Sequence, residues 1–374
     1  MTLSILARLR AGLLLLCLGG LIAPAVGQRF AAIGDYGYAG APERDVANLV
    51  KSWNPDFIIT LGDNNYDLGD STTIDQNVGQ YYHEYIYNYK GRYGPKTYSN
   101  RFFPSLGNHD YYTANGEPYR YYFTLPGNGR YYDLVRGDVH LFALNSDPAE
   151  PDGISATSKQ AQWLRRELAA STARWKVVYM HHAPYSSGQH GNTQALQWPF
   201  RAWGASVVLA GHDHDYERLV SDSLTYIVNG LGGRSIYQLR TLKPQSQRSF
   251  AGDYGALLLQ ATPDSLTMQF YTRRRVLVDT HVLRQKVGTA PKLYPVIPNP
   301  FQESALVEFS LPGAAEVQVR VLNLLGQEVA VLYQGASPAG FSRLRWTRNG
   351  LPAGLYYVQL SGPGFSQTTK AEIN

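Results

Sequence analysis

The chain reads as an α/β domain followed by a small all-β, immunoglobulin-like sandwich, and three observations set that reading. Between residues 29 and about 286, short runs rich in Ile, Val and Leu alternate with segments of helical period. The text VGTAPKLYPVIPNP, Val287 to Pro300, then turns proline-rich and marks a linker. Beyond it apolar residues recur at every second position, as Val317, Val319 and Val321 do between Glu316, Gln318 and Arg320.

The elements follow in chain order. Arg8 and Arg10 precede the apolar stretch Ala11 to Leu18, and Ala25-Val26-Gly27 places small residues where a signal peptidase reads, so residues 1–27 are expected to be an export signal. The only cysteine, Cys17, lies inside it, and Leu16 stands where a lipoprotein signal would have a small residue. Over Pro42 to Trp53 the residues Val46, Leu49, Val50 and Trp53 share one helical face, which Asn54-Pro55 ends. Thr157 and Gln160 suit a capping box ahead of Ala161, Leu164 and Leu168. From Ala256 to Leu283 two-residue alternation around Arg273-Arg274-Arg275 predicts closing antiparallel strands. The α/β domain is therefore assigned to residues 28–286, the linker to 287–292 and the sandwich to 293–374, with further strands at Ser342 to Thr347 and Gly354 to Leu360.

With 374 residues, 44% hydrophobic and 17% charged, the chain has material for one large core and a second, small domain. The net charge of +5 comes from scattered Lys and Arg, without the density of a nucleic-acid or lipid-binding patch, so no nucleic acid is expected as a partner. After the signal no stretch approaches the length of a membrane span.

The chemistry sits at strand ends. Five apolar runs end in residues able to bind metal: RFAAIGDYG at Asp35, FIITLGDNNY at Asp63 and Tyr66, FFPSLGNHD at Asn108, His109 and Asp110, WKVVYMHH at His181 and His182, and ASVVLAGHDH at His212 and His214. Carboxyl ends of strands in an open α/β sheet converge on one crevice, so five such clusters imply one site. A lone aspartate after a strand is usually a turn former. Together, however, two carboxylates, a phenol, a carboxamide and at least three imidazoles are the donors for two metal ions sharing a carboxylate. In an extended GHDH segment, His212 and His214 would project to one side and serve different ions of a pair about 3.5–4 Å apart.

GDYG, GDNNY, GNHD, VYMH and GHDH, in that order, resemble the five motifs of the purple acid phosphatases within the calcineurin-like metallophosphoesterases. The resemblance covers about residues 29 to 286 and implies a two-sheet α/β sandwich flanked by helices. It further implies that Asp35, Tyr66 and His214 bind Fe(III), that Asp63 bridges, and that Asn108, His181 and His212 bind a second, divalent ion (Fe, Zn or Mn). The broader family's first motif is D-x-H, whereas Gly37 stands third here, so a ligand is missing unless Tyr66 replaces it. A free tyrosine has a pKa near 10, and only a strong Lewis acid would hold the phenolate at working pH, which favours Fe(III) on physical grounds too. Three anionic ligands, five metal charges and a metal-bound hydroxide leave about +1, a site suited to a phosphoryl dianion.

His109 and His190, the latter in SSGQHG at a spacing from His181 similar to that of a substrate-contacting histidine in small family members, are candidates to bind phosphate or protonate the leaving oxygen. Asp110 is expected to orient His109. His182 should point away from His181 in an extended strand, toward the core or the rim. NGLGGR, Asn229 to Arg234, resembles a glycine-rich loop near the site in relatives or is a tight turn, and Tyr81, Tyr82, Tyr85, Tyr87 and Tyr89 form packing, an aromatic rim or a substrate platform.

YPVIPNPF, LNLLGQEV and LPAGLYYVQL, with the late Lys370, resemble the sorting domain read by the type IX secretion machinery; a carbohydrate-binding or adhesive sandwich is the competing view. The expectation is thus a secreted or surface-attached binuclear metallophosphatase that hydrolyses small phosphomonoesters by attack of a metal-bound hydroxide. Its rivals are a phosphodiesterase on the same metal centre and a noncatalytic surface binding protein.

Overall fold

The computed structural model describes residues 27–374; the expected export signal, with Cys17, lies outside the described residues apart from Gly27. One compact unit runs to Gln285 and a second from Lys286 to Asn374.

Two sheets build the first unit. In one, the strands Leu277–Arg284, Ser265–Thr272, Gly255–Ala261, Gln28–Ile33, Phe57–Thr60 and Phe102–Pro104 lie side by side in that order. The last three are mutually parallel and the first three antiparallel, as the alternation from Ala256 predicts; Arg275 turns the final hairpin with φ 65°. In the other, Val139–Ala143, Trp175–Tyr179, Val207–Ala210 and Leu224–Asn229 form a parallel centre. Parallel strands buried on both faces read as continuous apolar runs, which is why FIIT and VVLA show no alternation.

Odd and even positions of these strands go to different layers. Phe30, Ala32, Phe57 and Ile59 face Leu141, Val177, Tyr179 and Leu209 in the core between the sheets. Ala31, Ile33 and Ile58 face outward onto the helix Ala41–Ser52, whose Val46, Leu49 and Val50 are buried as the helical period predicts. Burial of each of the Ile, Val and Leu side chains here stabilises the layer by ~1.5–3 kcal/mol. Tyr81, Tyr82, Tyr85 and Tyr89 belong to this layer as packing; only Tyr87 is exposed. On the far side, Phe142, Val178 and Val208 pack against Ala161, Leu164 and Leu168 of the helix Lys159–Ala170. Its cap is Ser158, whose Oγ accepts from the Ala161 N–H at 3.2 Å, rather than Thr157. The Gln160 amide bonds instead to the backbone of Asn145, so the expected box is replaced by a tether between helix and strand end.

The second unit pairs Lys292–Leu293, Ser304–Leu311 and Gly340–Thr347 in one sheet and Glu328–Ser337, Ala315–Leu322, Gly354–Gly362 and Phe365–Ile373 in another. Val307, Phe309, Val317, Val319, Val321, Trp346 and Val358 fill its core, the inward half of the two-residue alternation. No helix of the described residues is long and apolar enough to cross a membrane.

Candidate metal centre

Every residue assigned to the centre follows a strand end on the same edge of the first unit. Asp35, Asp63, Tyr66 and Asn108 come from the ends of Gln28–Ile33, Phe57–Thr60 and Phe102–Pro104 in one sheet. His181, His212 and His214 come from the ends of Trp175–Tyr179 and Val207–Ala210 in the other.

The donors form two overlapping groups. In the first, Tyr66 Oη lies 3.1 Å from Asp35 Oδ1 and 3.3 Å from His214 Nε2, which is itself 3.2 Å from Asp35 Oδ1. In the second, His181 Nε2 lies 3.0 Å from Asn108 Oδ1, 3.1 Å from His212 Nδ1 and 3.4 Å from Asp63 Oδ1. Single donor atoms of Asp35, Asp63 and His181 all fall within 4.8 Å of one another, which places Asp63 where both groups meet. Donors about 2.1 Å from an octahedral ion stand about 3 Å apart when adjacent, so the spacing suits cations at both places.

Hydrogen bonds behind the rings aim the nitrogens. His181 Nδ1 is 2.9 Å from the Leu61 carbonyl and therefore carries hydrogen, leaving Nε2 toward Asn108, His212 and Asp63. His214 Nδ1 is 2.5 Å from Ser235 Oγ, leaving Nε2 toward Asp35 and Tyr66. With both rings neutral, their Nε2 lone pairs converge with the oxygens of Asp35, Asp63 and Asn108, and the Tyr66 hydroxyl, which donates to Asp35 Oδ1, carries a proton that a cation could displace. That is a cation cradle.

Local backbone geometry is specialised as well. Asp35, Asp63 and His212 have φ of 56°, 52° and 71°, a left-handed conformation uncommon outside glycine and concentrated at functional sites. GHDH is consequently bent rather than extended, with Asp213 N–H bonded to the Gly211 carbonyl at 2.9 Å. The two histidines reach separate donor groups because the chain turns at His212, a correction to the argument from strand alternation. Gly62, at φ 85°, could carry no side chain: a Cβ there would stand 2.5 Å from the His181 ring.

Electrostatics follow from burial. Desolvation pushes Asp35 up, but His181 and His214 outweigh it and hold the carboxyl below its usual range. Burial, then Asp35 and Asp63, push the Tyr66 phenol well above 10, so without a cation it stays protonated. Burial would lower His181, yet Asp63 and Asp35 raise it, whereas burial and the neighbouring imidazoles lower His212.

The other expected residues are distributed unevenly. The His109 ring is tilted against that of Tyr66 with centroids 4.4 Å apart, and its Nε2 lies 3.9 Å from Asp63 Oδ2. His190 is exposed, with its ring 4.1 Å from that of His212. His182 lies at the rim, its ring 4.4 Å from His212 and its Nδ1 3.0 Å from Ser146 Oγ; burial and His181 lower its pKa to about 3. Asp110 does not orient His109, whose Nδ1 bonds to the Asp67 carbonyl at 2.6 Å. Its buried carboxylate instead accepts from the Asn64 and Gly107 N–H groups and from the Asn64 amide, all within 3.1 Å, and so fixes the loop that carries Asp63. Burial and Asp63 push that carboxyl up to about 7.

Sequence reasoning missed Asn64, Ser235 and Tyr237, and named Arg234 only as the end of a glycine-rich loop. Tyr237 lies flat on His214, with ring centroids 4.1 Å apart. The NGLGGR loop does border the site: Arg234 N–H donates to the Asp35 carbonyl at 3.0 Å. No periodicity announces such contacts, which join residues far apart in the chain.

Residues 28–216 match the family of calcineurin-like phosphoesterases, and residues 295–374 match the secretion system C-terminal sorting domain. The chain is 26% identical over 259 residues to tartrate-resistant acid phosphatase type 5 of Rattus norvegicus, covering 59% of this chain and 77% of the relative. It is 23% identical over 282 residues to purple acid phosphatase 17 of Arabidopsis thaliana, covering 65% and 80%. Among solved structures, the purple acid phosphatase PPD1 from yellow lupin (Lupinus luteus) superposes with a TM-score of 0.57 at 18% identity, covering 69% of this chain and 54% of that one, a likeness of fold.

Proposed function

The chain belongs to the calcineurin-like phosphoesterases, which makes it a hydrolase of phosphoric esters, and from that premise we propose an exported binuclear-metal phosphatase acting on phosphomonoesters. The observation that carries this reading is the pair of donor groups meeting at Asp63, one containing a phenol and the other none.

Asp35, Tyr66 and His214 would hold Fe(III), and Asn108, His181 and His212 a divalent ion, with Asp63 shared. Bound there, the ions supply Lewis acidity toward phosphoryl oxygens and a source of nucleophilic water. The chain's own residues do the rest. Asp35 and Asp63, held in left-handed conformations, keep their carboxylates fixed without reorganisation. His109, fixed through Nδ1–H by the Asp67 carbonyl, presents Nε2 at the mouth, and in its doubly protonated form it would give the Nε2 proton to the leaving oxygen as the P–O bond breaks, returning to the neutral ring with hydrogen on Nδ1. His190, beside His212, binds a phosphoryl oxygen.

The sorting-domain match supports passage through the type IX secretion machinery, hence a secreted or surface location. Metal analysis together with a visible spectrum and turnover of an aryl monophosphate tests the reading. Bound iron, a tyrosinate band and hydrolysis are expected, and a purified protein without iron that cleaves none of it would overturn the proposal. Preferential cleavage of a bis-aryl phosphate would reassign the centre to diesters.

A further inference from the structure

One charged group at the mouth is used by none of these steps. The Arg234 guanidinium lies 4.2 Å from the Tyr38 ring and 5.3 Å from the Tyr66 ring, while its backbone is tied to the Asp35 carbonyl. Its ion pair is with Asp67, Nη2 to Oδ1 at 3.0 Å, and the Asp67 side chain is 60% exposed. Its Nε–H is buried and has no hydrogen-bond partner.

These facts point in one direction. A pair as exposed as Arg234 and Asp67 contributes only ~0–1 kcal/mol, so an incoming anion can displace the carboxylate readily. The buried Nε–H lacks an acceptor, and leaving it so is costly. The two aromatic faces hold the guanidinium beside the phenol. A planar guanidinium presents two parallel N–H groups to a carboxylate or phosphoryl group, a geometry that Asp67 uses through one nitrogen only.

We propose that Arg234 anchors a second anionic group of the substrate, carboxylate or phosphoryl, so that the site prefers phosphoric esters and anhydrides whose leaving part is itself charged. This rests on the phosphatase reading above. For inorganic pyrophosphate, water adds its oxygen to one phosphorus as the bridging P–O bond breaks, and the departing phosphate takes up a proton. Asp67 is then a competitor that holds Arg234 ready in the free protein and releases it to the substrate.

The test uses the full chain loaded with iron and a divalent ion, and three substrates: 4-nitrophenyl phosphate, inorganic pyrophosphate and phosphoglycerate. In Arg234→Met the kcat/KM for at least one charged-leaving substrate, relative to that for the aryl phosphate, should fall roughly tenfold or more, the worth of one charge-assisted pair. In Asp67→Asn the same ratio should rise by about two- to fivefold, because the competitor loses its charge. Loss with pyrophosphate alone assigns the anchor to phosphoryl groups, and loss with phosphoglycerate alone to carboxylates. Ratios unmoved in Arg234→Met, or shifting in the same direction in both variants, would overturn the proposal and leave a structural ion pair. Should the wild type hydrolyse none of the three, the phosphatase reading fails by itself, and calorimetric binding of pyrophosphate decides on Arg234. Binding weakened about tenfold in Arg234→Met supports the anchor, and equal binding rejects it.

Discussion

The backbone N–H of Tyr66 donates to the carbonyl of Gly37 at 2.8 Å, while the Asn64 carbonyl fills the space that any side chain at residue 37 would need. The two loops are therefore fitted to each other. A histidine at the third position of GDYG, where the broader family carries a ligand, has no room here, and the phenol of Tyr66 arrives at the Asp35 carboxylate from the other loop.

Tyr66→Phe keeps the ring and removes the oxygen. The protein should bind iron less tightly and lose the broad visible absorption expected of a tyrosinate on Fe(III), while divalent ions still gather at Asp63. An absorption spectrum of the iron-loaded variant decides, and an unchanged band would remove Tyr66 from the centre.

Gly37→Ala drives a methyl group into the Asn64 carbonyl. Overpacking of this kind costs about 1–3 kcal/mol. For a unit of this size each kcal/mol lowers Tm by about 2 °C, and the displaced Tyr66 should weaken the visible band in the same protein. A variant with wild-type Tm and spectrum would show that the loop yields freely.

Asp63→Ala should abolish turnover, because its carboxylate lies where the two donor groups meet. Metal content should fall with activity. Retention of more than roughly a tenth of wild-type kcat with two ions bound would contradict a bridging role.

Glu43, in the helix Ala41–Ser52, is fully buried, and burial pushes its carboxyl well above the usual range. A raised folded-state pKa means that Glu43 contributes stability fully below the unfolded value near 4.3, and that this contribution is lost as pH rises toward the folded value. Glu43→Gln mimics the neutral form at every pH. Its Tm relative to wild type should therefore be higher at pH 8 than at pH 5, and a difference independent of pH would show that the carboxyl titrates alike in the folded and unfolded chain.

Deleting residues 293–374 should leave an active, folded enzyme that is no longer exported by its native host. The two units have separate cores, and the donor groups lie wholly in the first. Fractionation and turnover assays on the truncated chain check both halves; loss of activity in the purified truncation would make the sandwich part of the catalytic unit.

Much of this was legible in the sequence because strands announce themselves by period and the donors follow them directly. FIIT before Asp63 and VVLA before His212 need no knowledge of tertiary contacts. What stayed hidden depends on meetings across the chain. Asp110 reaches Asn64, 46 positions away, and not its neighbour His109, since the Asp67 carbonyl has already taken the imidazole. Ser158 caps its helix although Thr157 offers similar chemistry, a choice of one residue decided by Gln160 bonding to Asn145. Arg234 gave no signal beyond its glycines. The bend at His212 was hidden too, because φ is not written in residue type when the residue is histidine.

The division of donors between the sheets has a mechanical side. All oxygen donors sit on one leaf of the sandwich and all nitrogen donors on the other, so ions held between them would rivet the leaves together at one edge. Beyond residue 27 the chain has no cysteine, and no disulfide can do this work after export. A chelator should then act as a reducing agent acts on a disulfide-bonded secreted protein, loosening the seam itself. Amide exchange would quicken first at the ends of Phe57–Thr60 and Val207–Ala210, on either side of the missing rivet.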